Sequence, residues 1–165
     1  MLDRYLFRGK RIDNNEWVEG SLITSIDRAW ISSEKTDSQR LRSISNTDAI
    51  WRAIEIIPDT ICRFTGRCDK NGKKIWENDI LMCHGNSEDL AKAVFGEFGV
   101  RDIGTGSIVD EVVGWHYEII PTDAISRCEP FCWSMPLTKD YIERCEMEVV
   151  GNIFENLELL QEEHK

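Results

Sequence analysis

The sequence predicts a mainly β chain with at most short helices, and three observations carry that expectation. Apolar and polar residues alternate with a period of two along much of the chain, whereas helical periodicity is scarce. Turn residues interrupt the strand-like runs at short intervals, and one Asn-Gly pair, Asn71-Gly72, stands between two such runs. Many short strands joined by frequent turns point to a small barrel or sandwich.

Taken in order, Tyr5 to Ile12 reads as a strand. Asp13-Asn14-Asn15 supplies turn residues that tolerate positive φ, and Glu16 to Ile23 reads as the returning strand of a hairpin. Ser32 to Thr47 is polar and lacks an apolar stripe, so residues 32–47 are expected to form an exposed loop. Ile50 to Ile57 is rich in β-branched residues and stops at Pro58, which favours a strand over the competing helix across Thr47 to Ile56. Ile61 to Cys68 and Lys73 to Cys83 then flank Asp69-Lys70-Asn71-Gly72. Asn-Gly is the pair preferred by a type I′ turn, in which both central residues need positive φ, so a tight hairpin is expected here.

Ala91 to Val100 is a further strand, with Gly96 and Gly99 expected to mark a bend or bulge. Arg101 to Ser107 reads as a turn and Glu111 to Ile120 as a strand. Glu-Ile-Ile-Pro occurs at 55–58 and again at 118–121, either a faint internal repeat or two strand ends alike by chance. Pro130 to Pro136 reads as irregular. Thr138 to Cys145 suits a short helix capped by Thr138. Glu146 to Phe154 is a last strand, Asn156 an N-cap for a turn through Leu160, and residues 161–165 a frayed tail.

A length of 165 residues fits one domain or two small lobes. No apolar run approaches the ~20 residues that span a bilayer, and the first ten residues lack the basic and apolar regions of a signal peptide. The expected setting is therefore the cytoplasm, with no membrane partner. The net charge is −10, and half of it lies between Tyr141 and Lys165, where seven glutamates face Arg144 and Lys165. Such a chain repels nucleic acid at long range, although Arg8, Lys10 and Arg11 form a local basic run. The six cysteines, at 62, 68, 83, 128, 132 and 145, lack the CxxC spacing of a zinc knuckle. Cys128 and Cys132 with His116 are the one conceivable ligand set; small buried hydrophobes are the default reading, and no metal or cofactor is expected.

Four blocks resemble the YopX family, small proteins encoded mainly by bacteriophages and prophages. They are Phe7-Arg8-Gly9-Lys10-Arg11 with Asn14 to Gly20; Pro58 to Gly66 continued by Asp69 to Ile80; Val94 to Val100; and Glu148 to Asn156 with Leu159-Leu160. They stand in the family's order and span nearly the whole chain, as one domain over residues 1–165. Cys62 and Asn78 occupy positions where the family usually has glycine. Asn78 tolerates left-handed backbone, whereas Cys62 does not do so cheaply, so position 62 is not expected to be obligatorily left-handed here. Leu157 replaces a proline that often follows Asn156. The resemblance implies an all-β fold related to an SH3-like barrel, elaborated with hairpins, and a phage setting; it does not imply a reaction.

The chemistry visible in the sequence is sparse. Cys83 and His84 are adjacent and, on a strand, point to opposite faces, so a thiol–imidazole pair would have to join Cys83 to His116. Gly104-Thr105-Gly106-Ser107 lacks the lysine and helix of a phosphate loop, and Asp69 to Gly72 lacks the further acidic ligands of a calcium loop. The candidate binding residues are Arg8, Lys10, Arg11, Trp17, Trp76 and Asp79. If Ile75, Glu77 and Asp79 share one strand face, Trp76 lies on the other, pointing into a core or lining a peptide groove. Trp17 carries the same choice. Two functional classes follow. The first is a non-enzymatic accessory or adaptor protein that binds a host or phage macromolecule, a protein above all, through a β-barrel surface, with hairpin sheet edges that allow self-association. The second is a nucleic-acid binder or processing enzyme, favoured if Arg8, Lys10, Arg11, Arg63 and Arg67 cluster on one face and excluded if they scatter.

Overall fold

A computed structural model describes residues 5–32, 53–102, 104–121 and 135–160. The expectations for the 32–47 loop beyond Ser32, the Cys128–Cys132 pair, most of Pro130 to Pro136 and the 161–165 tail fall outside the described residues. The strands are β1 (Phe7–Lys10), β2 (Trp17–Thr24), β3 (Ala29–Ser32), β4 (Ile54–Ile56), β5 (Cys62–Cys68), β6 (Lys74–Trp76), β7 (Asp79–Cys83), β8 (Asn86–Arg101), β9 (Ile108–Ile119), β10 (Met135–Pro136) and β11 (Glu148–Asn152). Among the described residues one short α-helix, α1 (Lys139–Arg144), precedes β11, and 3-10 turns form at Pro58–Thr60 and Leu157–Leu160. The chain divides into two compact units, Met1–Phe64 and Thr65–Lys165.

In the first unit an antiparallel sheet runs β4-β3-β2-β1 and adds the beginning of β5. The first hairpin forms as its sequence predicts, with Asn15 at φ 59 at the turn and Lys10 opposite Trp17. Ile31 and Ile56 are fully buried with Ala29, and Phe7, Val18, Leu22 and Ile61 pack around them. Glycine is required at position 20, because a Cβ there would overlap the backbone carbonyl of Ser32. Strand β3 is not anticipated by the sequence: four residues, Ala-Trp-Ile-Ser, are too few for alternation to stand out. The 50–57 expectation is met by strand at Ile54–Ile56, the part that is described.

In the second unit the rest of β5 forms a hairpin with β6, and a five-stranded antiparallel sheet runs β10-β9-β8-β7-β11. Its core gathers Ile75, Leu81, Cys83, Ala91, Ala93, Tyr117, Leu137, Ile142, Met147 and Val149. The Thr138 hydroxyl accepts the Tyr141 N–H and caps α1 as its position predicts.

Four expectations are corrected. Asn71-Gly72 does not form a type I′ turn, because only Gly72 has positive φ (81°). The Gly72 N–H donates to the Asp69 carbonyl and the Asp69 N–H to the Lys73 carbonyl, a three-residue loop closed by a left-handed glycine. The two-residue turn with both positions at positive φ is instead His84-Gly85, between β7 and β8. Gly96 and Gly99 mark no bulge, since register with β9 runs unbroken from Ala91 to Val100 and shifts only between Val100 and Arg101. The arm Lys73 to Cys83 is not one strand: Asn78, at φ 66 as its replacement of glycine suggests, turns the chain between β6 and β7. Finally, the described strands form no closed SH3-like barrel, although the first sheet curls until Arg11, just past β1, bridges Ile56 of β4.

Candidate functional site

Arg8, Lys10 and Trp17 come together because the β1–β2 register sets Lys10 opposite Trp17, with Arg8 two residues away on the same face. The Arg8 guanidinium lies 4.4 Å from the Trp17 ring centroid and the Lys10 ammonium 5.5 Å. Arg8 is 9% exposed. A guanidinium that buried serves the indole face and is a poor reader of phosphate, which needs an accessible cation. Arg11 is held by Asp13 in a two-pronged pair of 2.9 and 2.6 Å. Arg63 is opposite Phe7 in the β1–β5 ladder and so lies on the other sheet face from Arg8. The first unit therefore joins two of the predicted basic residues and separates the others. Arg67 belongs to the second unit.

Trp76 and Asp79 are both buried, at 3% and 1% exposure. The Asp79 carboxylate accepts the Trp76 N–H at 2.8 Å, closing the turn that Asn78 makes. The stripe of Ile75, Glu77 and Asp79 expected on one strand face does not exist, because the strand ends at Trp76 and the turn intervenes. Of the two placements open to it, Trp76 takes the buried one.

Cys83 and His116 do not form a nucleophilic pair, and no hydrogen bond joins them. Burial pushes the Cys83 thiol up to about 12, with Asp89 and Cys145 adding to the effect, so the thiolate is suppressed. His116 is buried against Phe98, ring centroids 4.6 Å apart, with Nδ1 3.3 Å from the Gly114 carbonyl oxygen. Among the described residues no three His, Cys, Asp or Glu side chains are placed to hold a metal ion. None of the helices there is long and apolar enough to cross a membrane.

A groove of about 460 Å³ opens beside the β5–β6 hairpin, lined by Arg67, Cys68, Lys70, Lys139, Glu143 and Glu146 among others. Its cations are largely answered by carboxylates, Lys139 by Glu143 at 3.5 Å and Lys70 by Glu148 at 3.1 Å. The groove thus has no charge excess with which to select a ligand.

The feature that sequence reasoning missed is the outer part of the β8–β9 hairpin. Strand β7 pairs with β8 only as far as Lys92, and β10 with β9 only at His116 and Tyr117. Beyond those points, among the described residues, the two arms continue as a ribbon with no third strand to Arg101 and Ile108. The register sets Phe95 opposite Trp115, Glu97 opposite Val113 and Gly99 opposite Glu111, all on one face. Phe95 and Trp115 meet edge to face at 5.2 Å. Phe95 is 41% and Val113 70% exposed, and Ile108 and Val109 at the ribbon tip are exposed as well. An aromatic and aliphatic strip flanked by carboxylates therefore faces outward on a two-stranded element. A ribbon of this kind is marginally stable by itself, and a third strand is its ordinary support.

A search of curated proteins returns no match. The model of the YopX protein family matches residues 6–161, which include all four sequence blocks, the β8–β9 ribbon and most of each compact unit. By that match the chain belongs to the YopX family.

Proposed function

We propose that this protein is a phage- or prophage-encoded accessory factor that acts in the bacterial cytoplasm by binding another protein through a sheet surface, without catalysing a reaction. The observation that carries the reading is the outer β8–β9 ribbon, where Phe95, Val113, Ile108 and Val109 stay exposed while the same strands bury Ala91, Ala93 and Tyr117 further in. Water-facing apolar side chains clustered on one element mark a surface that gains by being covered. The expected barrel is replaced in this reading by an open sheet whose extension does the binding.

The nucleic-acid reading has less support. It needs five basic residues on one face, whereas Arg8 is buried on Trp17, Arg11 is paired with Asp13 and Arg63 lies across the sheet from Arg8. Capture of the tagged chain from bacterial lysate, with and without nuclease, separates the two. A protein partner that survives nuclease is the expected result; retention of nucleic acid alone would reverse the order of the readings.

A further inference from the structure

We infer that the outer edge of β9, at Glu111–Val113, accepts an extended, cationic segment of a partner protein as an added strand. The inference rests on the adaptor reading above and specifies its partner.

Hydrogen bonding comes first. The Trp115 carbonyl accepts the Leu137 N–H at 3.0 Å, so it points away from β8, toward the β10 side. In an antiparallel ladder these orientations alternate, so Val113 and Glu111 turn their N–H and C=O groups to the same edge, where the Glu111 N–H already donates to the Asp110 carboxylate at 2.9 Å. Strand β10 has ended there, with its two residues spent on Tyr117 and His116. An extended segment laid along this edge would continue the line of β10 and pair with the Val113 N–H and C=O and the Glu111 C=O.

Side chains then set the chemistry. Val113, Glu111 and Trp115 project from one face of β9, and Glu97 stands directly across from Val113. Residues 94–115 hold four carboxylates, Glu97, Asp102, Asp110 and Glu111, against Arg101 alone. Asp102 is spent on its own turn, accepting the N–H groups of Gly104 and Thr105. Asp110 accepts the Glu111 N–H and lies on the opposite face. Glu97 and Glu111 share the face of Val113, Glu111 at the edge itself and Glu97 one strand in. A guest strand with aliphatic residues next to Val113 and lysine or arginine next to Glu111 matches that row. A second copy of this chain does not, because its own acidic ribbon would place like charges against these.

The test titrates the full chain with a short synthetic peptide alternating valine and lysine, and with its valine–glutamate counterpart, following fluorescence anisotropy and amide chemical shifts. Three variants accompany it. Val113→Pro removes an outward N–H at an edge position that tolerates proline. Glu111→Lys reverses charge at the edge, and Glu158→Lys makes the same change at an exposed site away from the ribbon. The expected result is binding of the lysine peptide only, with shifts centred on 109–115. Val113→Pro and Glu111→Lys should each weaken it roughly tenfold, the effect of about 1.4 kcal/mol, while Glu158→Lys leaves it unchanged. Absence of binding overturns the inference and leaves the acidic edge as a guard against aggregation. Equal weakening by Glu158→Lys overturns it in favour of net charge. Concentration-dependent dimerisation abolished by Val113→Pro overturns it in favour of a second copy. A partner captured from lysate equally well by the Val113→Pro chain overturns it and leaves the adaptor reading standing; capture of no protein at all removes the adaptor reading itself.

Discussion

Asp69 and Val149, separated by eighty residues in sequence, are joined by a 3.0 Å hydrogen bond from the Val149 N–H to the Asp69 carboxylate. The other carboxylate oxygen accepts the N–H groups of Asn71 and Lys73, each at 2.9 Å. One buried side chain thus shapes the β5–β6 loop and ties it to β11. The Lys70 N–H, donating to the Met147 carbonyl at 3.0 Å, and the Lys73 ammonium, donating to the Val149 carbonyl at 3.2 Å, complete the seam.

Replacing Asp69 with alanine leaves three N–H groups without this acceptor. Hydrogen bonds to charged groups contribute about 1.5–3 kcal/mol each, and losses that share one residue do not add fully. The expected destabilisation is about 3 kcal/mol by denaturant unfolding. Lys70→Ala, which removes only the half-exposed pair with Glu148, should cost about 0.5 kcal/mol.

Gly151 and Gly20 offer a contrast in what a methyl group would meet. At Gly151 a Cβ would overlap the carboxamide oxygen of Asn156, which accepts the Asn152 N–H at 3.2 Å. That neighbour is a side chain and can be removed. Gly151→Ala should destabilise by about 2 kcal/mol, and adding Asn156→Ala should recover part of the loss, a coupling readable in a double-mutant cycle. At Gly20 the obstacle is the backbone of Ser32, so Gly20→Ala should cost more, about 3 kcal/mol or above, with no single side-chain change to relieve it.

Thiol reactivity should follow burial. Cys68 is exposed, whereas Cys83 is buried with its thiol pushed up to about 12. Peptide mapping after brief iodoacetamide treatment at neutral pH should find Cys68 alkylated and Cys83 intact until the protein is unfolded. Early modification of Cys83 in folded protein would contradict the core assignment.

The Arg28–Glu55 pair links the loop before β3 to β4, through bonds of 2.7 and 2.6 Å. Hydrogen bonding to Arg28 holds the Glu55 carboxyl below its ordinary range. A carboxyl lowered in the folded state contributes stability above its unfolded value and loses it as pH falls through the folded one. An NMR titration should place the Glu55 midpoint below that of an isolated glutamate, and Arg28→Ala should return it toward the ordinary value.

Much of the strand order was legible in the sequence because strands here end at residues with specific backbone demands. Pro58, Asn15, Gly72 and Asn78 all mark boundaries in the structure, and the replacement of glycine by Asn78 pointed to its left-handed backbone. The Asn71-Gly72 turn was misread because the neighbouring Asp69 carboxylate captures two loop amides and selects the longer loop. Asp79 looked like surface because an acidic residue ordinarily is; its burial depends on a backbone N–H three residues earlier, at Trp76, that no pattern of side chains reveals.

The candidate site was less legible for a related reason. Phe95, Val112, Val113 and Trp115 carry the composition of a buried strand. Exposure arises because β7 and β10 stop short, and the length of a neighbouring strand is not written in the strand it leaves uncovered. Arg8, by contrast, reads as surface in sequence and is buried because the register puts it on the face of Trp17, two residues from Lys10, which stands opposite that ring.

The most direct test of the central claim places a photo-crosslinking amino acid at Val113 and, separately, at Ile12, an exposed position in the first unit. Irradiation in the bacterial cytoplasm should yield a discrete protein adduct from position 113 and none from position 12. Adducts confined to position 12, or nucleic acid crosslinked from either site, would contradict the assignment of the β8–β9 ribbon as the binding surface.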